Sequence, residues 1–533
     1  MNKRPVLILI ALSLTFFMSY GQKKSKPNIL FIAVDDLKPE LGCYGNQLIK
    51  TPNIDRLAKM GTVFAKNYCQ QAVCGPSRAS IMTGLRPDVT KVWDLKTKMR
   101  EANPDIVTIP QYFITQGYVT EGVGKIYHPG CADKQSDGMS WSVPYFKSKA
   151  SDFANGLGMP AKSQYQDLAT KAAIAAESTD DKGKKENDGE SVAGTVKPSS
   201  ECLNLPDDAY EDGVNALIAK RELIKLSNNG QPYFLAVGFH KPHLPFVAPK
   251  KYWDLYNRAD MPLAPFQEHS ENGPLIAYHK SSELRNYTDI PAYATLSPDD
   301  LRIGLKEEKQ KELIHGYYAA VSYMDAQVGI LLNTLDSLGE LNNTIIVLWG
   351  DHGWHLGDHD LWEKHTNFEN ATRSPLIFVA PGFKSGTTSS LSEHLDVFPT
   401  LCDLANVPIP DKLQGKSLKP VMQNKKKEVI KFAVSQYPRK LKASEAKKAE
   451  LTDGKLMGYS IRSDKYRYTV WLNNSFASTE FFSPTRIYAS ELYDYVNDPL
   501  EKVNVVTSVK YKEVVEEMNE YLIDFMKSQE VKK

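Results

Sequence analysis

A chain of 533 residues, 42% of them hydrophobic and 24% charged, carries enough apolar material for one large core or two smaller ones. That composition excludes a disordered protein, and a formal net charge of +1 gives no reason to expect a nucleic-acid partner. A local basic pocket for an anionic substrate remains compatible with it.

The chain opens with "MNKRPVLILIALSLTFFMSYGQ", in which Lys3 and Arg4 precede an apolar run that ends in small and polar residues. This is the pattern of a secretory signal, here cleaved near Gly21, and the run is shorter than the roughly 20 residues of a membrane span. The expectation is an exported protein whose mature structure begins around Lys26, with no membrane span after cleavage. Export permits disulfides, yet Cys43, Cys69, Cys74, Cys131, Cys202 and Cys402 show no C-x-x-C spacing, which argues against a zinc or iron–sulfur cluster.

Four apolar runs read as buried strands, and each leads into polar residues. "NILFIAV" stops at Asp35 and Asp36, "GYVTEGVG" leads to Lys125 and His128, "PYFLAVGF" to His240, Lys241 and His243, and "TIIVLWG" to Asp351 and His352. Helical stretches lie between them: "TPNIDRLAKMGTVF" reads as a helix capped by Thr51 or Asn53, and "EKQKELIHGYYAAVSYMDAQVGILLNTLDSLG" as a long helix with a glycine stop. "SPLIFVAPG" adds a strand and "HLDVFPTLCDLANV" a helix. The implied class is α/β, a large mainly parallel sheet flanked by helices on both faces. Such sheets bind ligands beyond the carboxyl ends of their strands, so the four polar clusters are expected to meet at one rim.

Residues 150–200 are polar and aperiodic, which predicts a partly disordered surface insertion. Further on, "GYSIRSDKYRYTVWL" alternates as antiparallel strands do. A smaller antiparallel-sheet subdomain over 425–533 is therefore expected beside a catalytic unit over 26–424.

At the rim, Asp35, Asp36 and Asp351 are hard oxygen ligands and His352 offers one nitrogen, a set that suits calcium or magnesium better than zinc. The stretch "CGPSRASIMTGLRP" puts Cys74 just before a helix that has Pro76 in its first turn and Gly84 as its stop. Free N–H groups and the helix dipole favour an anion there. An unmodified Cys74 is expected to have a lowered pKa and to act as a thiolate; the plain alternatives are a core residue or a disulfide with Cys69. Arg78, one turn in, would contact the anion or orient the nucleophile.

The same stretch resembles the sulfatase signature C-x-P-S-R-x-S-x-x-T-G, whose cysteine is oxidised after translation to formylglycine. "PNILFIAVDDLKPELGCYGN", "TPNIDRLAKMGTVFAKNY", "VGKIYHPG", "VGFHKPHLPF", "WGDHGWHLGDHDLWEKHTNFENATRSPLIFVAPG" and "MGYSIRSDKYRYTVW" are similar to the corresponding blocks of iduronate-2-sulfatases. The histidine after Asp351, where many sulfatases carry asparagine, fits that subgroup.

The resemblance implies an alkaline-phosphatase-like fold and hydrolysis of the 2-O-sulfate of iduronate or another uronic acid in heparan sulfate, heparin or dermatan sulfate oligosaccharides. It implies that Cys74 becomes formylglycine, whose hydrate attacks sulfur with one hydroxyl and releases sulfate through the second. It further implies calcium held by Asp35, Asp36, Asp351 and His352 with the formylglycine, Arg78 and Lys125 steadying the nucleophile's oxygens, and Lys364 contacting the sulfate. His243 would protonate the leaving alcohol and His128 deprotonate the diol, two roles that are interchangeable at this level.

The partners implied are the sulfated glycosaminoglycan and a formylglycine-generating enzyme. The location would be periplasmic or extracellular in a bacterium and lysosomal in an animal. A phosphate or phosphonate monoester hydrolase and a glycan-binding protein without turnover are the rival readings. Tyr459, Arg462 and Arg467 could face a substrate carboxylate from the smaller sheet, but alternating Tyr and Arg is more commonly the mark of a half-exposed strand. Lys241, Trp354, His355 and Arg373 lie near the rim without a defined role.

Overall fold

The structure, a computed structural model, describes residues 26–180, 197–290, 301–449, 451, 454–473 and 486–530. The signal segment falls outside the described residues. Strand β1 (Asn28–Val34) is buried along its whole length, as an apolar run without alternation must be when helices cover both faces of a sheet. Its residues divide between two cores. Leu30, Ile32 and Val34 join one cluster, whereas Ile29, Phe31 and Ala33 join the other.

Helix α1 (Pro52–Met60) has Thr51 as its N-cap, but the backbone N–H groups of Asn53 and Ile54 donate to Asp325 rather than to a capping side chain. The helix expected to run through "GTVF" ends at Gly61, and Thr62–Tyr68 is strand β2. A Cβ at Gly61 would lie 2.4 Å from the carbonyl oxygen of Phe378. The neighbouring strand thus approaches too closely for the helix to continue, and β-branched Thr62 and Val63 enter the sheet.

The remaining elements of the large sheet follow in order: α2 (Cys74–Thr83), β3 (Val119–Gly124), α3 (Glu211–Asn228), β4 (Tyr233–Phe239), α4 (Glu307–Ser337), β5 (Thr344–Gly350), β6 (Leu376–Val379), β7 (Gly386–Glu393) and α5 (Val397–Leu404). The seven strands run in the order β7-β2-β6-β5-β1-β4-β3, all pairings being parallel except those of β6. Residues of α1, α3 and α4 pack on one face, and residues of α2 and α5 on the other.

The expectation of an aperiodic insertion needs correction. Residues 150–156 form two 3-10 turns, Leu168–Asp180 is a helix, and Ser200–Leu203 pairs with Phe246–Pro249. Residues 181–196 lie outside the described residues. Alanine-rich "LATKAAIAA" supplies the helix propensity that a polarity reading overlooks.

Beyond residue 425, β8 (Ala433–Lys440), β9 (Lys455–Arg462), β10 (Tyr466–Leu472) and β11 (Ile487–Asp494) form an antiparallel sheet in sequence order, followed by α6 (Lys512–Glu530). One face of this sheet packs Met457, Tyr459 and Ile461 against Leu522 and Phe525 of α6. The other presents Leu456, Trp471 and Tyr493 to Leu361 and Phe368, in the segment that follows β5. The smaller sheet therefore abuts the end of the large sheet that carries the polar clusters.

Candidate active site

Parallel register builds the rim. Val34 is paired with Gly350, so the residues that follow, Asp35 and Asp351, emerge side by side, and the Asp351 N–H donates to the Val34 carbonyl at 3.1 Å. Asp36 then takes a left-handed turn (φ +56°), which an aspartate tolerates better than most residues. Its own N–H donates to Asp351 Oδ1 at 3.0 Å. All three carboxylates are fully buried.

Cys74 is the first residue of α2, every residue of which is buried. Its Sγ lies 3.4 Å from His352 Nε2 and 3.9 Å from Asp36 Oδ1. The expected thiolate does not follow: burial, together with the charge of Asp35, pushes the Cys74 thiol well above its ordinary value. The helix N-terminus is outweighed by desolvation and the acids around it. Cys69 is no disulfide partner, for all six cysteines are free, and its Sγ faces the Ala371 carbonyl.

Arg78 is completely buried, with Cys74 among the groups whose charge reaches it. Nε donates to Asp351 Oδ2 at 2.9 Å, Nη2 to Asp35 Oδ1 at 3.0 Å, and Nη1 to the carbonyls of Lys125 and Ile126. Its guanidinium thus holds Asp35 and Asp351 in place. Lys125, delivered by the end of β3, is ion-paired with Asp35. Burial works to raise Asp35, but Lys125 and Arg78 hold it well below the usual carboxylate range.

Asp36 behaves oppositely. Burial, with Asp35, Glu283 and Asp351 nearby, raises it well above that range despite Lys364 at 3.2 Å. An acid left short of positive charge among other acids is what a cation site looks like before its cation is considered. His352 fits such a site as well. Its Nδ1–H donates to the Gly353 carbonyl at 2.9 Å, which leaves the Nε2 lone pair facing Asp36 and Asp351 at 3.3 and 3.6 Å. Potential ligand atoms of Asp35, Asp36, Cys74 and His243 lie within 4.8 Å of one another, as do those of Cys74, Asp351 and His352.

His243 and Lys364 meet at a residue outside every motif of the sequence. Glu283 lies 3.2 Å from His243 Nε2 and 2.7 Å from Lys364 Nζ. It comes from an irregular stretch after a short 3-10 turn, and no motif or periodicity marks it. The Nδ1–H of His243 donates to the Leu244 carbonyl at 2.6 Å, so its Nε2 is the atom turned toward Glu283 and Asp36. His128 has the reverse arrangement. Its Nδ1 accepts the Gly130 N–H at 3.2 Å, so the neutral ring carries its proton on Nε2, and burial with Lys125 lowers it to about 3.

The residues of undefined role are structural. Lys241 Nζ donates to the Pro245 carbonyl, His355 lies between Asp358 and Thr366, Arg373 donates to the Ala65 carbonyl, and Trp354 stacks beneath Lys364 at 4.9 Å. Tyr459 donates to Asp88, while Arg462 and Arg467 pair with Glu369. These three are consumed inside the protein and do not reach toward a substrate.

Comparison with known proteins agrees with this geometry. The Sulfatase family model matches residues 27–407, and the model for the C-terminal region of N-sulphoglucosamine sulphohydrolase matches residues 357–528. Iduronate 2-sulfatases of Mus musculus and Homo sapiens are each 36% identical over 531 residues, covering 90% of both sequences. Among solved structures, the phosphonate monoester hydrolase of Agrobacterium radiobacter superposes with a TM-score of 0.67 at 20% identity, covering 95% of this chain and 96% of that one. A 2-O GAG sulfatase gives a TM-score of 0.61 at 22% identity, covering 95% of this chain and 92% of the other. Both share the fold. Among the described residues no helix is long and apolar enough to cross a membrane. With a buried cysteine at a helix start, three converging carboxylates and this extended identity, the chain belongs to the sulfatase family and is a sulfuric ester hydrolase akin to the iduronate 2-sulfatases.

Proposed function

We propose that the protein removes the 2-O-sulfate of iduronate or another uronic acid residue in heparan sulfate, heparin or dermatan sulfate oligosaccharides, using formylglycine made from Cys74. The observation that carries this reading is the 36% identity to iduronate 2-sulfatases across nine-tenths of both sequences. The raised thiol of Cys74 supports conversion, since a protonated thiol is a poor nucleophile at neutral pH. Formylglycine supplies a hydrated aldehyde, with one hydroxyl for attack at sulfur and a second whose proton is lost as sulfate leaves.

Asp35, Asp36, Asp351 and His352 would hold calcium, which supplies positive charge for the sulfate oxygens and the nucleophile. The other groups divide the remaining work. Arg78 keeps Asp35 and Asp351 in place, and Lys125 faces Asp35 from the side of Cys74. Lys364, paired with Asp36 and Glu283, would contact a sulfate oxygen. His243 has the Glu283 carboxylate 3.2 Å from its Nε2, although burial with Lys364 and Lys125 nearby holds the ring well below the ordinary imidazole value, so any proton placed on Nε2 is readily given up. From there it would protonate the departing sugar oxygen. His128, turned with its Nε2–H outward from Gly130, would serve the diol side of the reaction.

The protein would act after export, in the periplasm or outside a bacterial cell, or in an animal lysosome, and would require a formylglycine-generating enzyme. Mass spectrometry of the Cys74 peptide from native-host protein tests the nucleophile: a deficit of about 18 Da against cysteine is expected. Sulfate release from a 2-O-sulfated uronic acid disaccharide, abolished in Cys74→Ala, is the matching activity. A mature, folded enzyme with an unmodified thiol, or a Cys74→Ala variant with full turnover, would overturn the reading.

A further inference from the structure

Arg78, Arg86, Arg462 and Arg467 are buried, and each has an acid partner. Arg78 meets Asp35 and Asp351, Arg86 meets Glu393, Arg462 meets Glu369, and Arg467 meets Glu369 and Glu501. Arg439, half-buried near the end of β8, has none among the described residues. It directs Nε to the Ile276 carbonyl at 3.2 Å, Nη1 to the Pro438 carbonyl at 3.3 Å, and Nη2 to the His365 carbonyl. The guanidinium stacks on Tyr437 at 4.4 Å and lies 5.9 Å from Trp471.

Carbonyls satisfy hydrogen-bond donors but do not neutralise a charge, and burial depresses the basicity of Arg439. Glu491, the acid whose charge reaches it, is occupied by Trp471 and Tyr493. A guanidinium has five N–H groups; three go to carbonyls and Tyr437 also engages the group, so no more than two remain. Planar bidentate recognition of a carboxylate is the interaction such a fork favours.

Its position is also informative. His365, whose carbonyl Arg439 holds, directly follows Lys364, and the His365 ring meets His279 edge-on at 5.7 Å. A path of cationic and imidazole groups therefore runs from the sulfate side of the rim, at Lys364, to Arg439 on the smaller sheet. A 2-O-sulfated uronic acid presents two anions in matching order: sulfate at C2 and, across the ring, the carboxylate at C5.

Resting on the function proposed above, the geometry points to Arg439 as the group that receives the uronic acid carboxylate and so sets the substrate class. The adjacent trio His279, Glu363 and His365, whose ligand atoms lie within 4.8 Å of one another, is not a second metal site. The Ser281 N–H donates to His279 Nδ1 at 2.9 Å, so the neutral ring carries its proton on Nε2 and has no free lone pair for a metal.

The test pairs a 2-O-sulfated uronic acid disaccharide with the same disaccharide after reduction of its carboxylate to a hydroxymethyl group. The wild-type enzyme should prefer the carboxylate form by about 30-fold or more in kcat/KM, the size of a charge-assisted hydrogen-bonded pair. In Arg439→Gln that preference should collapse to about threefold or less, and Arg439→Lys, which keeps the charge but not the fork, should fall between. Equal wild-type rates on the two substrates, or a preference that survives in Arg439→Gln, would overturn the assignment while leaving the uronate sulfatase reading intact. A variant that fails to fold leaves the decision to the wild-type ratio and to Arg439→Lys. An enzyme that releases sulfate from other esters but from no 2-O-sulfated uronate would instead refute the functional reading, and this inference with it.

Discussion

Two buried clusters pair arginine with carboxylate in this protein, and they are built to different ends. Where the two sheets meet, Arg462 and Arg467 face Glu369 and Glu501, two cations against two acids, with the rings of Tyr495 and Tyr68 stacked over the guanidinium groups. At the rim, Arg78, Lys125 and Lys364 face Asp35, Asp36, Asp351 and Glu283, three cations against four acids. Burial works to raise the acids of both. At the junction Arg462 and Arg467 hold Glu369 far below the ordinary glutamate value while Glu501 is raised to about 7, and at the rim Lys125 and Arg78 hold Asp35 low while Asp36, with three other acids around it, is pushed well above the aspartate value. A closed cluster joins two parts of a fold; an open one leaves room for a further cation and for reacting groups.

The largest test of that contrast is Arg467→Met. It leaves Glu369 and Glu501 facing only one guanidinium, and breaking a buried pair from one side costs about 3–5 kcal/mol. Chemical denaturation should show a loss of that order; an unaltered midpoint would mean that the junction cluster is not structural glue.

A second, somewhat smaller effect concerns Glu491, which burial raises to about 7 although it accepts hydrogen bonds from Trp471 and Tyr493. Its folded pKa exceeds the unfolded value, so the native state binds the extra proton. The contribution is complete in mild acid and is lost as pH rises through about 7, amounting to about 2 kcal/mol between pH 5 and pH 7. Glu491→Gln should flatten that part of the stability profile, as thermal melts across the range would reveal.

The smallest is Glu283→Gln. With Lys364 and His243 no longer held by a carboxylate, kcat should fall by about tenfold, some 1.4 kcal/mol of barrier, at nearly constant stability. A rise in KM with kcat unchanged would make Glu283 a substrate contact and not a positioning residue.

These predictions also mark how far the sequence could be read. The rim was legible because it follows from rules with few exceptions: apolar runs become parallel strands, and their carboxyl ends share an edge. Asp35, Asp36, Asp351, His352, Lys125, His128 and His243 all lie at such ends, and Cys74 lies in a long motif. What escaped depends on contacts remote in the chain. Arg78 reaches Asp351 across 273 positions, and nothing local distinguishes that partner from a bound anion. Glu283 and Arg439 sit in or near irregular segments, where neither periodicity nor motif indicates which way a side chain turns. At Cys74 the dipole of the helix is visible in sequence whereas the depth of burial, which decides the state of the thiol, is not.

That depth has a consequence for how the protein is made. Cys74 is 3% exposed, and its helix has no residue facing solvent. Any enzyme that alters this side chain must reach it while the segment is still extended, before β1 and β5 close over it. The order of synthesis, modification and folding is therefore constrained, and a chain that folds first retains a thiol that no later encounter can repair without unfolding it.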